Sequence, residues 1–305
     1  MSRVQRILPP ELEGERLDRA LAALTGLSRR RARTLIREGK VARNGKPLKV
    51  EGRLLGAADV LEIILEAEDE VAEAPFPEAP ELSIVHRDRW LVAVDKPSGM
   101  LSQPAASQRP GDLAADQVLL RQLAGKEGQP PFLRLVHRLD RVTSGLLLFA
   151  AHPQALAPLD RAWRGGEVER IYLALVEGEA GFEGIEVDAP ITRAPGGSWR
   201  FQVAEGGQPA KTAVERLAAG EGASVLRCRL LTGRTHQVRV HLAHLGLPVL
   251  GDTLYGARKG SAPRPLLHAY QLHLPHPRTR ERLVLEAPIP EDFRPLLDRC
   301  QLSLP

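Results

Sequence analysis

The 305-residue sequence predicts an α+β protein: a mainly antiparallel, mixed β-sheet with flanking helices, preceded by a small separate module. Three observations predict it. From residue 82 onward short β-rich runs alternate with a few helical ones at hairpin-length gaps, which argues against a doubly wound parallel fold. Residues 66–81, "EAEDEVAEAPFPEAPE", are acidic and rich in proline and alanine without apolar period, as in an extended linker. No internal repeat of fixed period interrupts this division into residues 1–65, 66–81 and 82–305.

In the first segment Leu17, Ala20, Leu21 and Leu24 recur at helical spacing. Ser28 caps a second helix that turns Ala32, Leu35 and Ile36 inward, and Gly39 ends it. Asn44-Gly45 in "VARNGKPLKV" predicts a tight turn between two short strands, and "DVLEIIL" supplies another strand. Arg29, Arg30, Arg31, Arg33, Arg37 and Lys40 face one local acid, Glu38. Such a run is often a solvated helix face. Six like charges on so short a stretch repel one another, so a phosphate backbone is the expected partner.

The second segment predicts strands at "LSIVHRDRWLVAVDKP", "SGLLLFAA", "RIYLALVEG", "KTAVERLAAG", "SVLRCRLLTG" and "LVLEAP". Helices are expected around "DLAADQVLLRQLAG", "QALAPLDRAWRGG" and "HQVRVHLAHLG". Two cysteines, Cys228 and Cys300, exclude a disulfide framework. No apolar run approaches membrane-spanning length and the N-terminus lacks a signal-like core, so a cytoplasmic protein without membrane attachment is expected. The net charge of +4, carried mostly by arginine, suggests a polyanionic partner.

Four segments could carry chemistry. In "VHRLDRVTSGLLLFA" Asp140 lies between Arg138 and Arg141, on a loop leading through a Thr-Ser-Gly turn into a buried strand. Opposite charges favour an ionised carboxylate, suited to a nucleophile or base. An isolated Asp-Arg pair is ordinarily a structural salt bridge, so Asp140 needs company. In "LLTGRTHQVRVHLAHLG" Thr235, His236, Arg239 and His241 crowd a strand-to-helix junction. His236, His241 and His244 match no metal-binding spacing, and Arg234 and Arg239 repel a cation, so an anion is the expected guest and no metal is. Tyr172 sits in an apolar strand, where core packing is its usual role. The Lys-Pro-Ser-Gly turn in "VAVDKPSGML" offers Lys96 and free backbone amides to an anion.

Taken in order, "KPSGM", "HRLDRVTSG", "RIYLALVEG" and "TGRTHQVRVH" resemble the motif series of the RluA-type pseudouridine synthases, with "LGDTLYG" and "LHAYQLHLPHP" in the same style. The resemblance covers about residues 82–290. The first segment resembles the α-L RNA-binding module named for a small-subunit ribosomal protein. The likeness implies an enzyme that isomerises uridine in RNA to pseudouridine, needing no cofactor. Asp140 is then the catalytic residue, whether it adds to sugar or base or abstracts a sugar proton. Tyr172 stacks on the uracil, Arg239 pairs with Asp140, and Arg138 fills the gap left by the flipped nucleotide. Lys96, His137, Arg141, Thr143, Arg234, Thr235 and His236 follow as substrate contacts, with Arg29, Arg30, Arg33, Arg37 and Lys40 as RNA contacts of the front module. Large-subunit ribosomal RNA is the expected partner and transfer RNA the runner-up; DNA is not expected, and a monomer is. "IVHRDRW" and "MLSQP" depart from the family style and bear on target choice. A non-catalytic RNA-binding or ribosome-assembly protein is the rival reading, and a hydrolase on a small anion a further one.

Overall fold

The computed structural model describes residues 2–7, 12, 14–43, 46–55, 60–65, 81–104, 114–124, 131–195 and 200–299. The chain divides into two compact units, Met1–Glu78 and Ala79–Pro305. The expected linker, apart from Glu81, and the Asn44-Gly45 turn lie outside the described residues.

The first unit runs β1 (Ser2–Ile7), α1 (Leu17–Thr25), α2 (Arg29–Arg37), β2 (Val41–Arg43), β3 (Lys46–Pro47) and β4 (Val60–Leu65). Its sheet order is β1-β4-β2-β3. The apolar stripe of α1 (Leu17, Ala20, Leu21) and that of α2 (Ala32, Leu35, Ile36) share one core with Val41, Leu61 and Ile63. Ser28 caps α2 by accepting from the Arg31 backbone N–H, and Gly26 ends α1 in the left-handed region at φ 73°.

The second unit runs β5 (Ser83–Arg87), β6 (Leu91–Lys96), α3 (Ala115–Ala124), β7 (Arg134–Leu135), β8 (Ser144–Ala150), α4 (Leu156–Arg164), β9 (Glu169–Glu177), β10 (Gly184–Asp188), β11 (Ile191–Arg193), β12 (Phe201–Val203), β13 (Lys211–Gly220), β14 (Ala223–Leu230), α5 (Gln237–His244), β15 (Leu267–Pro275), β16 (Arg282–Glu286) and α6 (Arg294–Arg299). The large sheet has the order β10-β13-β14-β9-β15-β8-β6-β5, with β16 beside β15 and β7 beside β8. Every pairing is antiparallel except β8 with β15. The architecture is the mixed α+β one that the pattern of runs predicts.

Strands β1, β7, β10, β11, β12 and β15 lie outside the predicted runs. In β15 polar residues disguise a buried strand: His268 is fully buried because its Nδ1 meets the Ser144 hydroxyl at 2.9 Å. The Thr-Ser-Gly segment also departs from expectation, because the turn falls at Arg141–Val142 and Ser144-Gly145 open β8. Gly145 is needed there. Its φ is 109°, and a Cβ would lie 2.3 Å from the Ala269 carbonyl oxygen, so only glycine lets β15 approach in parallel.

One transverse row of paired residues fixes the site. Lys96 pairs with Gly145, Gly145 with Ala269, Ala269 with Tyr172, and Tyr172 with Cys228. The segment entering β8, the middle of β9 and the end of β6 therefore meet at one level of the sheet.

Candidate active site

Asp140 stands on the loop into β8, and that loop is held in place by the Lys-Pro-Ser-Gly segment. Gly99 N–H donates to the Arg141 carbonyl at 2.7 Å, and the Arg141 Nε returns a bond to the Gly99 carbonyl at 2.9 Å. Ser98 Oγ donates to the Val142 carbonyl, while Ser102 Oγ donates to the Leu139 carbonyl and accepts from its N–H. Thr143 N–H donates to the Asp140 carbonyl and closes the turn.

This pairing corrects the expectation for Lys96. Its side chain is fully buried and donates to the carbonyls of Pro97 and Met100 at 2.9 Å each and of Arg141 at 3.5 Å. Burial pushes its pKa down to about 7, opposed mainly by the Asp140 charge. Three carbonyls consume the donors of the ammonium, so Lys96 braces the Asp140 loop and does not reach the cleft surface. The Gly99 amide, expected to be free for an anion, is spent on the same loop.

A cleft of about 990 Å³ opens over Asp140, lined by Arg138, Tyr172, Arg170, His236 and Arg239 among others. The partners of Asp140 also differ from expectation. Among the described residues the ion-pair partners of Asp140 come from the start of α5 and not from Arg138 or Arg141: Arg239 Nη1 lies 3.4 Å and His236 Nε2 3.9 Å from the Asp140 Oδ2. Arg138 is exposed at the cleft rim, and Thr143 is buried beneath it.

Arg239 comes from α5 and is almost sealed, at 4% exposure. Asp252 grips it with two bonds, Nε to Oδ2 at 2.6 Å and Nη2 to Oδ1 at 2.9 Å. The Tyr255 ring lies 4.9 Å from the guanidinium carbon. Burial depresses the Arg239 pKa, but the Asp252 bonds and charge outweigh it and raise the value. Tyr255 also meets His236 Nδ1 at 2.7 Å and accepts from the Phe201 backbone N–H. His236 itself adopts a left-handed backbone, φ 58°, at the start of α5, and burial lowers its pKa. Gln237 anchors the same loop: its Oε1 accepts from the Arg234 N–H and its Nε2 donates to the Lys211 carbonyl. Arg234 Nε donates to the Pro209 carbonyl, and Thr235 lines the cleft. His241 has both ring nitrogens engaged, with the Thr212 hydroxyl and the Ala189 carbonyl.

Tyr172 lines the cleft from β9. Burial pushes its pKa up to about 12, with Arg170 opposing and Asp140 adding to the rise, so the phenol keeps its proton at neutral pH. His137 accepts the Leu148 N–H through Nε2 and stacks on Trp163 with centroids 5.2 Å apart. Burial, aided by Arg170, drops its pKa to about 3, so His137 faces the cleft as a neutral ring.

In the first unit, the basic residues are less isolated than the local sequence suggests. Asp18, fully buried, accepts from Arg16, Arg29 and Arg33, while Glu51 pairs with Arg33 and Arg37 and Glu38 with Lys40. Acids from α1 and the 48–55 segment supply the neutralisation that like-charge repulsion assigned to RNA. Arg30 is exposed.

The family described as RNA pseudouridylate synthase matches residues 90–244 and the S4 domain residues 15–61. Ribosomal large subunit pseudouridine synthase D of Neisseria meningitidis serogroup B is 35% identical over 316 residues, spanning 99% of this chain and 83% of its own. Its namesake in Nitrosomonas europaea is 36% identical over 304 residues, covering 96% and 87%. Among solved structures, human RNA Pseudouridylate Synthase Domain Containing 1 superposes with a TM-score of 0.58 at 30% identity, covering 72% of this chain and 87% of that one. The chain belongs to the RNA pseudouridylate synthase family. As a pseudouridine synthase it isomerises uridine in RNA, and its front unit carries an S4 domain. Sequence reasoning on this synthase missed Asp252, Tyr255, Gln237 and Arg170. Asp252 and Tyr255 were within sight, in the quoted "LGDTLYG", but their role depends on what α5 turns toward them. Among the described residues, no helix is long and apolar enough to cross a membrane.

Proposed function

We propose that this synthase modifies uridines of large-subunit ribosomal RNA, the substrate class after which its relatives are named, with Asp140 as the catalytic carboxylate. The reading rests on one observation: Asp140 meets Arg239 at 3.4 Å in a cleft that also presents Tyr172. The isomerisation breaks the N1–C1′ bond, forms a C5–C1′ bond and moves a proton from C5 to N1 through solvent. The glycosidic carbon of a stacked uridine is out of reach, so the nucleotide must swing out of its helix or loop. Arg138, exposed at the rim, supplies a planar guanidinium for the vacated stack. The uracil then lies against Tyr172, whose protonated phenol offers a face and a donor. Arg239, fixed by Asp252, holds one Asp140 oxygen while the other is free to add to sugar or base or to take a sugar proton.

The front unit supplies sequence-independent affinity to RNA, and the chain works as a monomer in the cytoplasm, where ribosomes are assembled. Large-subunit ribosomal RNA from a strain lacking the gene, tritiated at uridine C5, tests the proposal. Wild type releases tritium to water and Asp140→Asn releases less by about 10³-fold or more. An active Asp140→Asn protein refutes the role of the carboxylate; release only from transfer RNA refutes the target.

A further inference from the structure

Arg170 contrasts with Arg239 in the same cleft wall, and unlike the exposed Arg138 and Arg234 it is half-buried. It lies two residues before Tyr172 and lines the same cavity, yet no carboxylate pairs with it among the described residues. Its Nη2 donates to the carbonyls of Leu230 and Thr232, at 3.4 and 3.0 Å. Its Nε is buried with no hydrogen-bond partner. Nη1 makes no hydrogen bond among the described residues and is not one of the sealed atoms. Gly233 gives it room, because a Cβ there would come within 2.7 Å of Nη1. Trp163 stands 6.0 Å from the guanidinium carbon.

A guanidinium cannot shed its proton, so burial leaves it charged. Carbonyl dipoles offset only part of the desolvation cost of a buried cation, which structures otherwise meet with an anion. Arg239 has Asp252; among the described residues Arg170 has no such acid. The missing anion is one that RNA carries on every nucleotide. We propose that Arg170 is a phosphate-binding site: Nη2 pins the loop of residues 231–235, and Nη1 donates to a non-bridging oxygen of the backbone phosphate beside the nucleotide lying on Tyr172. The anion site follows from the geometry alone; only its assignment to an RNA phosphate rests on the proposed function.

The test uses the intact chain with Trp90→Phe and Trp199→Phe, so that Trp163 is the remaining indole beside Arg170. Inorganic phosphate is expected to change Trp163 emission saturably, and Arg170→Met to abolish the change. In RNA binding, Arg170→Met is expected to weaken affinity about tenfold and to reduce the slope of log K against log salt by about one. Gly233→Ala, which keeps the charge but crowds Nη1, should reproduce the affinity loss. Should Arg170→Met fail to fold, Gly233→Ala and Arg170→Lys carry the comparison. A wild type blind to phosphate, or a folded Arg170→Met protein whose Trp163 emission still responds to it, overturns the anion site. A phosphate response with an unchanged RNA slope overturns the RNA assignment and makes the ligand a free phosphate. A protein that binds phosphate at Arg170 but forms no pseudouridine refutes the proposed function and leaves the anion site standing.

Discussion

Arginine is used in two electrical settings in this molecule, on α2 of the front unit and on α5 of the cleft. On α2, Arg29 and Arg33 converge with Arg16 on one buried carboxylate, Asp18, while their side chains stay partly exposed. On α5, Arg239 is nearly sealed and stands between two carboxylates, Asp252 at 2.6 Å and Asp140 at 3.4 Å. The first arrangement fastens a helix and leaves residual positive charge outside. The second transmits position, since whatever orients Asp252 orients Asp140. A basic cluster in a sequence therefore says little until its acids are located, and both sets of acids here lie outside the helix that carries the arginines.

The sharpest way to break this comparison is Asp252→Ala. It leaves a buried guanidinium uncompensated, which costs about 3 kcal/mol or more, and frees Arg239 to collapse onto Asp140. Tritium release at saturating RNA is expected to fall about 10²-fold, with RNA affinity nearly unchanged, because the affected atoms orient the carboxylate and do not hold the strand. Equal activity in variant and wild type would mean that Arg239 needs no second acid. Arg239→Lys should not rescue, for an ammonium cannot take both Asp252 oxygens and still reach Asp140.

The counterpart on α2 is smaller and depends on pH. Burial pulls the Asp18 pKa up, but bonds from Arg16, Arg33 and Arg29 outweigh it and hold the group at about 2, against 3.8 for an unstructured aspartate. Below its ordinary value the unfolded chain binds the proton and the folded chain resists it, so stability falls as pH drops from about 4 toward 2. The shift is worth about 2 kcal/mol. Asp18→Asn should cost that much at pH 7, read by amide exchange of α1 and α2 in the intact chain, and should flatten the acid slope. An unchanged slope would remove Asp18 as the anchor.

Much of the molecule was legible in the sequence where a signal is local. The α1–α2 pair, its Ser28 cap and most strands of the second unit follow from periodicity and turn chemistry. Asp140, Tyr172 and Arg239 were singled out by the order of their motifs, and the structure brings them to one cleft. What failed was every inference that took sequence neighbours for spatial ones. Arg138 and Arg141 flank Asp140 in the chain, yet its partners come from the N-cap and first turn of α5, 96 and 99 residues on, because the loop turns those two arginines elsewhere. Lys96 after a buried strand reads as an exposed turn residue, whereas register places it opposite Gly145, beneath the loop it braces. Gly145 carries the same lesson: its need for a bare Cα is set by Ala269, on a strand that polar residues concealed.

The smallest effect separates residual charge from fastening on α2 itself. Arg30 is exposed and outside the Asp18 and Glu51 clusters, whereas Arg33 and Arg37 belong to them. If the front unit lends electrostatic affinity, Arg30→Ala should lower the salt slope of RNA binding by about one and leave stability unchanged. Arg33→Ala has the opposite profile, because removing it leaves Asp18 short of a donor: stability falls by about 1 kcal/mol, and the salt slope moves less. A salt slope equally sensitive to both would show that fastened arginines also face the phosphates, and the distinction between the two uses of charge would then fail within α2 while standing for Arg239, whose donors are spent on Asp252 and Asp140.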